Sequence, residues 1–341
     1  MIELAYVVSN VLGGLYLAIL LIGLSQRARP GGGPEVENYL VVVVTVGDWR
    51  VLPALRETVG RLEELGLRYV VVSSRPLPFS NVLVVPREED GSKYRAIRWF
   101  VKNYARGDVW YIFLDDDSYP LDRQFLRDIA YYGARGYVAG NGVLVPRPGK
   151  SRLAYALDWV RHFDDLTRQR LALRLLKRPI FGLHGELLIV RGDVLREIWP
   201  SMGDTVTEDF RFAMELLRRG YKVFQTSTRV SVKSPNSLRD FLRQRARWAN
   251  SLHEALRYGN AAAVAAVALS AALWATAPLW VLYGPNLAAV VTGIYAGVYV
   301  YGSLKARRYI VDVWLASLLE LIGLLAGAVR RTRHFYVIDK T

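Results

Sequence analysis

VWYIFLDDDS occupies residues 109–118. A short apolar run of β-branched and aromatic residues, without polar alternation, ends abruptly in three carboxylates. Such a run fits a strand buried on both faces, as parallel sheets require. Ligands of parallel sheets bind beyond the carboxyl ends of the strands, which is where Asp115, Asp116 and Asp117 stand. Upstream, the same grammar repeats. YLVVVVTV (39–46) reads as a buried strand, 51–65 as an amphipathic helix, RYVVVSS (68–74) and VLVV (82–85) as strands, and 93–105 as a helix. This alternation predicts an α/β domain over 37–234 with a largely parallel, doubly wound sheet.

The flanks differ in kind. Residues 4–24 carry no charge, and at ~1.5 Å per residue they reach about 31 Å, one bilayer core. Glu3 precedes them and Arg27 and Arg29 follow, the reverse of a secretory leader, so 1–25 is expected to anchor the chain. Residues 26–36, with Pro30, three glycines and Pro34, read as a linker. Residues 235–260 are expected to form one Arg-rich amphipathic helix (238–258) at the membrane interface. Residues 261–303 predict a transmembrane pair turning at Gly284-Pro285-Asn286.

Topology follows from charge. Basic clusters Arg27/Arg29, Lys305/Arg307/Arg308 and Arg330/Arg331/Arg333 favour the cytosolic side. All three lie there if 304–330 does not span. In 311–329, Asp312 and Glu320 share a stripe with small residues, so an interfacial helix is expected, with 331–341 cytosolic. The predicted location is an integral membrane protein, in the plasma membrane if prokaryotic, with its catalytic domain cytosolic.

Composition narrows the chemistry. Of 341 residues, none is Cys and four are His, which excludes disulfides, thiolate nucleophiles and zinc ribbons. The formal charge of +14 suits a membrane surface, a phosphate-bearing substrate or nucleic acid. Three adjacent carboxylates repel one another unless a hard divalent cation shares them; a solvated turn before Pro120 is the plainer alternative. In VTEDF (206–210), Thr207 and the acids suit a helix cap, yet a desolvated Asp209 would serve as a general base. In QRARW (244–248), Gln244, Arg247 and Trp248 share a helical face. Arg247 suits phosphate and Trp248 a sugar ring.

DDD, TED and QRARW, in that order, resemble the signature of membrane-integrated family 2 glycosyltransferases, relatives of the cellulose, hyaluronan and chitin synthases. FGLHG (181–185), RRGYKVF and SPNSLRDFLRQRARW are closer to the egghead-type β-mannosyltransferase branch. The resemblance covers about 39–341 and implies a GT-A fold. It implies that Asp115 and Asp117 hold Mg2+ or Mn2+ and, with Asp116, Lys93, Arg247 and Lys340, the donor diphosphate. Asp209 becomes the base. Glu208, Gln244, Trp248, His184 and Phe335 fall at the acceptor side. Phe335, Val337 and Lys340 in FYVIDK resemble the gating loop of the synthases.

Departures accompany the likeness. Ser73-Ser74 stand where many relatives carry a base-contacting acid, and Ile338 replaces the gating-loop Thr. His184 also suits a turn anchor, and His162 a solvated helix face. The function so implied is an inverting transfer from a GDP- or UDP-linked sugar, mannose being one candidate, to a lipid-linked or membrane-embedded acceptor. A processive polysaccharide synthase is the alternative within the family. A membrane-anchored binder of anionic ligands is the alternative outside it; nucleic acid is not an expected partner, because acids in a phosphate groove repel it.

Overall fold

A computed structural model describes residues 2–27, 30–276 and 284–329. Helix α1 (Ile2–Ser25) precedes the α/β body. The body runs β1 (Tyr39–Thr45), α2 (Leu52–Glu64), β2 (Tyr69–Ser73), β3 (Val82–Val84), α3 (Lys93–Tyr104), β4 (Trp110–Asp115), β5 (Ser118–Pro120), α4 (Gln124–Gly133), β6 (Tyr137–Arg147) and α5 (Arg152–Leu166). A short α6 (Arg168–Arg170) enters a π-helical turn, Leu171–Leu176, before β7 (Leu188–Arg191), α7 (Gly192–Ile198), α8 (Glu208–Arg218) and β8 (Lys222–Lys233). Then come α9 (Leu238–Trp248), α10 (Asn250–Arg257), α11 (Ala261–Thr276), α12 (Leu287–Ala306) and α13 (Ile310–Val329).

The sheet has the order β3-β2-β1-β4-β7-β6-β8-β5. Strands β3, β2, β1 and β4 pair in parallel, as their alternation with helices predicts. Strand β7 enters antiparallel between β4 and β6, because the excursion 148–187 brings the chain back from the opposite direction. The sheet is therefore mixed, mostly parallel on one side. Val41, Val42 and Val43 of β1 are all fully buried, alternating between two cores. Burial of each such side chain stabilises the sheet by about 1.5–3 kcal/mol. The alternation leaves the strand ends, not the strand faces, to build a site.

Helices α1, α12 and α13 are each long and apolar enough to cross a membrane. Of the expected pair over 261–303, α12 is complete and α11 is described to Thr276; residues 277–283 lie outside the described residues. Helix α13 lies along α9: a Cβ on Gly327 would meet the Ala246 carbonyl at 2.2 Å. The single helix expected over 238–258 is two. It breaks at Ala249, where the Asn250 side chain donates to the Arg247 carbonyl (2.9 Å) and competes with the helical ladder.

Candidate active site

Strand β4 delivers Asp115 to the mouth of a cavity of about 610 Å3. The chain then turns rather than continuing extended, so the three acids diverge. Asp115 pairs with the Lys93 ammonium, presented by the first turn of α3. Asp116 accepts from Thr45 Oγ1 (2.8 Å) at the end of β1, and its carbonyl accepts from Thr58 Oγ1 (3.1 Å). Asp117 is 1% exposed, and its carbonyl takes hydrogen bonds from Arg147 Nη1 (2.9 Å) and Lys233 N (3.3 Å). All three line the cavity.

Opposite stands the start of α8. Glu208 reaches Lys93 Nζ at 3.4 Å. Burial disfavours the Lys93 ammonium, but Asp115, Glu208 and Asp209 outweigh burial and keep it charged. Asp209 accepts from Gly185 N (3.1 Å) through Oδ2 and from Phe210 N (2.8 Å) through Oδ1. Burial, then the Glu208 charge, push its carboxyl up to about 7, while Lys93 pulls the other way. A Cβ on Gly185 would lie 2.6 Å from Lys93 Nζ, so this backbone must be bare for the lysine to reach Asp115.

His184 lies between two carboxylates, Nε2 3.4 Å from Asp165 and Nδ1 3.6 Å from Glu186. Burial opposes its charging, but Asp165 and Glu186 prevail and raise its pKa. Burial likewise pushes Glu186 up, yet Arg161 and His184 hold it down at about 2. Helix α9 closes this side. Gln244, Arg247 and Trp248 all line the cavity, and Arg247 donates to the Val206 carbonyl (2.7 Å). Trp248 carries two guanidiniums, Arg161 at 4.5 Å and Arg245 at 4.3 Å from the ring centre. Beyond them the wall turns apolar, through Phe181, Leu183, Phe210 and the α11 residues Ala263 and Val267.

A family model described as glycosyl transferase family group 2 matches residues 110–327, from β4 through most of α13. The chain belongs to that family. Curated relatives include the β-1,4-mannosyltransferase bre-3 of Caenorhabditis briggsae, 25% identical over 309 residues, covering 78% of this chain and 68% of that protein. The bre-3 protein of Caenorhabditis elegans is 26% identical over 282 residues (74% of this chain, 61% of that protein). The β-1,4-mannosyltransferase egh of Drosophila melanogaster is 25% identical over 302 residues (76% and 66%). Among solved structures, a mannosyltransferase from Pyrobaculum calidifontis in complex with GDP-Man and Mn2+ superposes with a TM-score of 0.60 at 16% identity. It covers 96% of this chain and 99% of that one, and shares the GT-A-like fold.

In this glycosyltransferase, Lys93, Asp115, Asp116, Asp117, His184, Glu208, Asp209, Gln244, Arg247 and Trp248 all border one cavity. Phe335, Val337 and Lys340 lie outside the described residues. Two expectations need correction. Thr207 occupies the N-cap position of α8, but its side chain makes no capping bond, and the Asp209 carboxylate bonds Phe210 N instead. His162 is not a solvated face: it is half-buried, with Nδ1 at 2.6 Å from the Leu144 carbonyl.

Arg161, Asp165 and Glu186 escaped the sequence analysis. For Arg161 and Asp165 the signal is that Asp158, Arg161 and Asp165 recur at three- and four-residue spacing on α5, a charged stripe on a largely apolar helix. The carboxylates at the β4 end are hard oxygen donors and fit Mg2+ or Mn2+. Among the described residues no three His, Asp or Glu side chains converge on one point. A cation here would thus take one or two carboxylates, Asp117 and Asp115 foremost, and leave positions for substrate phosphate and water.

Proposed function

We propose that this protein is an inverting, divalent-metal-dependent mannosyltransferase. It moves a sugar from a GDP-linked donor to a lipid-linked acceptor and forms a β-glycosidic bond. The observation that carries this is the placement of Asp209: a half-buried carboxyl across Gly185 from the Lys93–Asp115 pair, in one cavity, which desolvation and Glu208 push up to about 7. A base near neutrality takes the acceptor hydroxyl proton as the bond forms. Lys93 and Arg247 offer positive charge to the departing diphosphate. When bound, the metal neutralises charge building on that diphosphate. Asp117 and Asp115 would hold it.

Two features support the acceptor class. The cavity is acidic and basic at the β4 end and apolar where α11 enters, so a polar headgroup with an acyl or prenyl tail suits it. Also, the C-terminal ends of both α1 and α12 meet the catalytic body, which favours an enzyme held at the membrane, and the basic residues at those ends, Arg27 and Lys305/Arg307/Arg308, favour the cytosolic side for that body. The three relatives named mannosyltransferases, and the fold neighbour solved with GDP-Man, point to the donor.

The test is nucleoside diphosphate release by purified protein, comparing GDP-mannose with UDP-sugars in Mg2+ or Mn2+, with and without EDTA. Release from GDP-mannose should exceed that from UDP-sugars at least tenfold. Asp117→Asn should abolish turnover and weaken donor binding. Full activity in EDTA overturns metal dependence. A product ladder in place of one added sugar transfers the assignment to a processive synthase.

A further inference from the structure

Beyond the cavity, the strongest unassigned cluster lies at residues 168–178, RQRLALRLLKR. Its position is fixed by α1. A Cβ on Gly23, in the last turn of that apolar helix, would meet the Thr167 carbonyl at 2.2 Å. Arg174 donates to the carbonyl of Gln26, one residue past α1 (3.4 Å), and to that of Thr226 (3.2 Å). The π-helical turn Leu171–Leu176 therefore rides level with the end of the apolar helix. If α1 spans a bilayer, as the proposed function holds, this turn lies at its headgroup layer.

The charges in the turn are of two kinds. Arg168 faces the cavity and is taken by Asp164. Arg170 and Arg174 do not line the cavity, and among the described residues neither has a carboxylate within ion-pair distance. Both Nε atoms are buried without a hydrogen-bond partner among the described residues. Burial lowers the pKa of both guanidiniums, and the Arg170 charge adds to the effect on Arg174, which stands at about 10; Asp165 at Arg170, and Tyr132 and Asp128 at Arg174, offset this only in part. Two cations held half-buried side by side are costly unless an anion meets them. Next in sequence, Leu175 and Leu176 are each 46% exposed, and Lys177, in the left-handed region (φ 58°), ends the turn. π-helical turns of this kind often mark functional sites. Guanidinium pairs suit the phosphodiester of a headgroup, and the adjacent leucines suit its acyl chains.

We propose that Arg170 and Arg174, with Leu175 and Leu176, bind an anionic phospholipid in the leaflet that faces the catalytic body. The site is separate from donor and acceptor. It fixes how deep and at what angle the body rides on the membrane, and so where the apolar mouth of the cavity meets the bilayer.

The experiment uses full-length protein in nanodiscs of phosphatidylcholine containing phosphatidylglycerol at about one lipid in five, with retained lipids counted by native mass spectrometry after extraction. Wild type should retain phosphatidylglycerol in preference to phosphatidylcholine. Each of Arg170→Gln and Arg174→Gln should reduce that preference about fivefold. Arg174→Gln also removes two carbonyl contacts and is the more disruptive; Arg170→Gln removes none of the described hydrogen bonds and decides the matter. Unchanged preference in Arg170→Gln overturns the site. Detergent-solubilised protein titrated with inorganic phosphate forms the second arm. Binding of phosphate as tight as that of the lipid makes this a soluble-anion site and equally overturns the proposal. An alkaline wash of membranes keeps the two readings apart: release of the protein removes the anchor itself, whereas a retained protein without lipid preference removes only the lipid site.

Discussion

Asp209 combines two hydrogen bonds from backbone amides with a carboxyl pushed up to about 7 by burial and Glu208. For a base that must be unprotonated, kcat/KM should climb with pH up to about 7 and then level off. Asp209→Asn should lower kcat at least about 1,000-fold while donor binding persists; near-normal kcat would leave the residue a helix-cap acid and nothing more. Stability gives an independent check. The folded pKa lies above the unfolded value of 3.8, so the folded chain holds the extra proton. That stabilisation is complete below the unfolded pKa and is lost as pH rises through about 7. Asp209→Asn should therefore exceed wild type in stability near pH 8, by on the order of 3 kcal/mol, with the gap narrowing as pH falls below 7 and closing only near pH 4 in urea titrations. Gly185 makes a second demand. A methyl 2.6 Å from Lys93 Nζ must push the ammonium off Asp115. Gly185→Ala should cost about 100-fold in kcat/KM, with the thermal midpoint little changed, since the displaced atom ends a flexible side chain. Undiminished turnover would mean that the Lys93–Asp115 pair is dispensable.

At the scale of elements, α13 reaches the site through one buried residue. Arg245 of α9 is 3% exposed and bridges Asp158 of α5 (2.8 Å) and Glu320 of α13 (2.7 Å), while stacking on Trp248. A buried cation deprived of one carboxylate loses order as well as energy, by up to about 3–5 kcal/mol where no second partner remains. Since Asp158 stays, Glu320→Gln should shift the position of Trp248 without unfolding the chain. The acceptor KM should then rise more than the donor KM, with a change in tryptophan emission; equal rises would make Glu320 a matter of stability alone.

This link was not legible in the sequence. Strands β1, β2 and β4 were, because unbroken β-branched and aromatic runs leave few alternatives. The DDD, TED and QRARW positions were visible because acids and Arg cluster beside those runs. Arg245, by contrast, reads as one more charge on a basic interfacial helix, and nothing local beyond their spacing marks Asp158 or Arg161. Their meaning depends on α5, α9 and α13 meeting in space, which no local pattern encodes. The break at Ala249 was hidden for a related reason: neither Gly nor Pro marks it, and a side-chain bond from Asn250 makes it.

For the whole molecule, the C-terminal tail is expected on the catalytic side of the membrane. Helices α1 and α12 both end against the catalytic body: Gly23 on Thr167, and Gly302 so near α5 that a Cβ would meet the Ala156 carbonyl at 2.2 Å. Arg27 and the Lys305/Arg307/Arg308 cluster then share one side, in keeping with the positive-inside rule. Helix α13 is apolar enough to cross, yet it lies along α9 with Glu320 committed to Arg245. A crossing helix would have to take that carboxylate into lipid, at roughly 2.5–3.5 kcal/mol, or carry α9 with it. An interfacial α13 leaves Arg330, Arg331 and Arg333 on the same side as the other two clusters. With no native Cys, single cysteines report cleanly in intact cells. Pro285→Cys, in the exposed turn before α12, should react with an impermeant thiol reagent. Tyr309→Cys, at a position 81% exposed but on the catalytic side, should be shielded until the cells are opened. Thr341→Cys should behave like position 309. If 341 reacts in intact cells while 309 stays shielded, α13 crosses, the Arg245–Glu320 bridge is a membrane-embedded pair, and the tail cannot reach the donor.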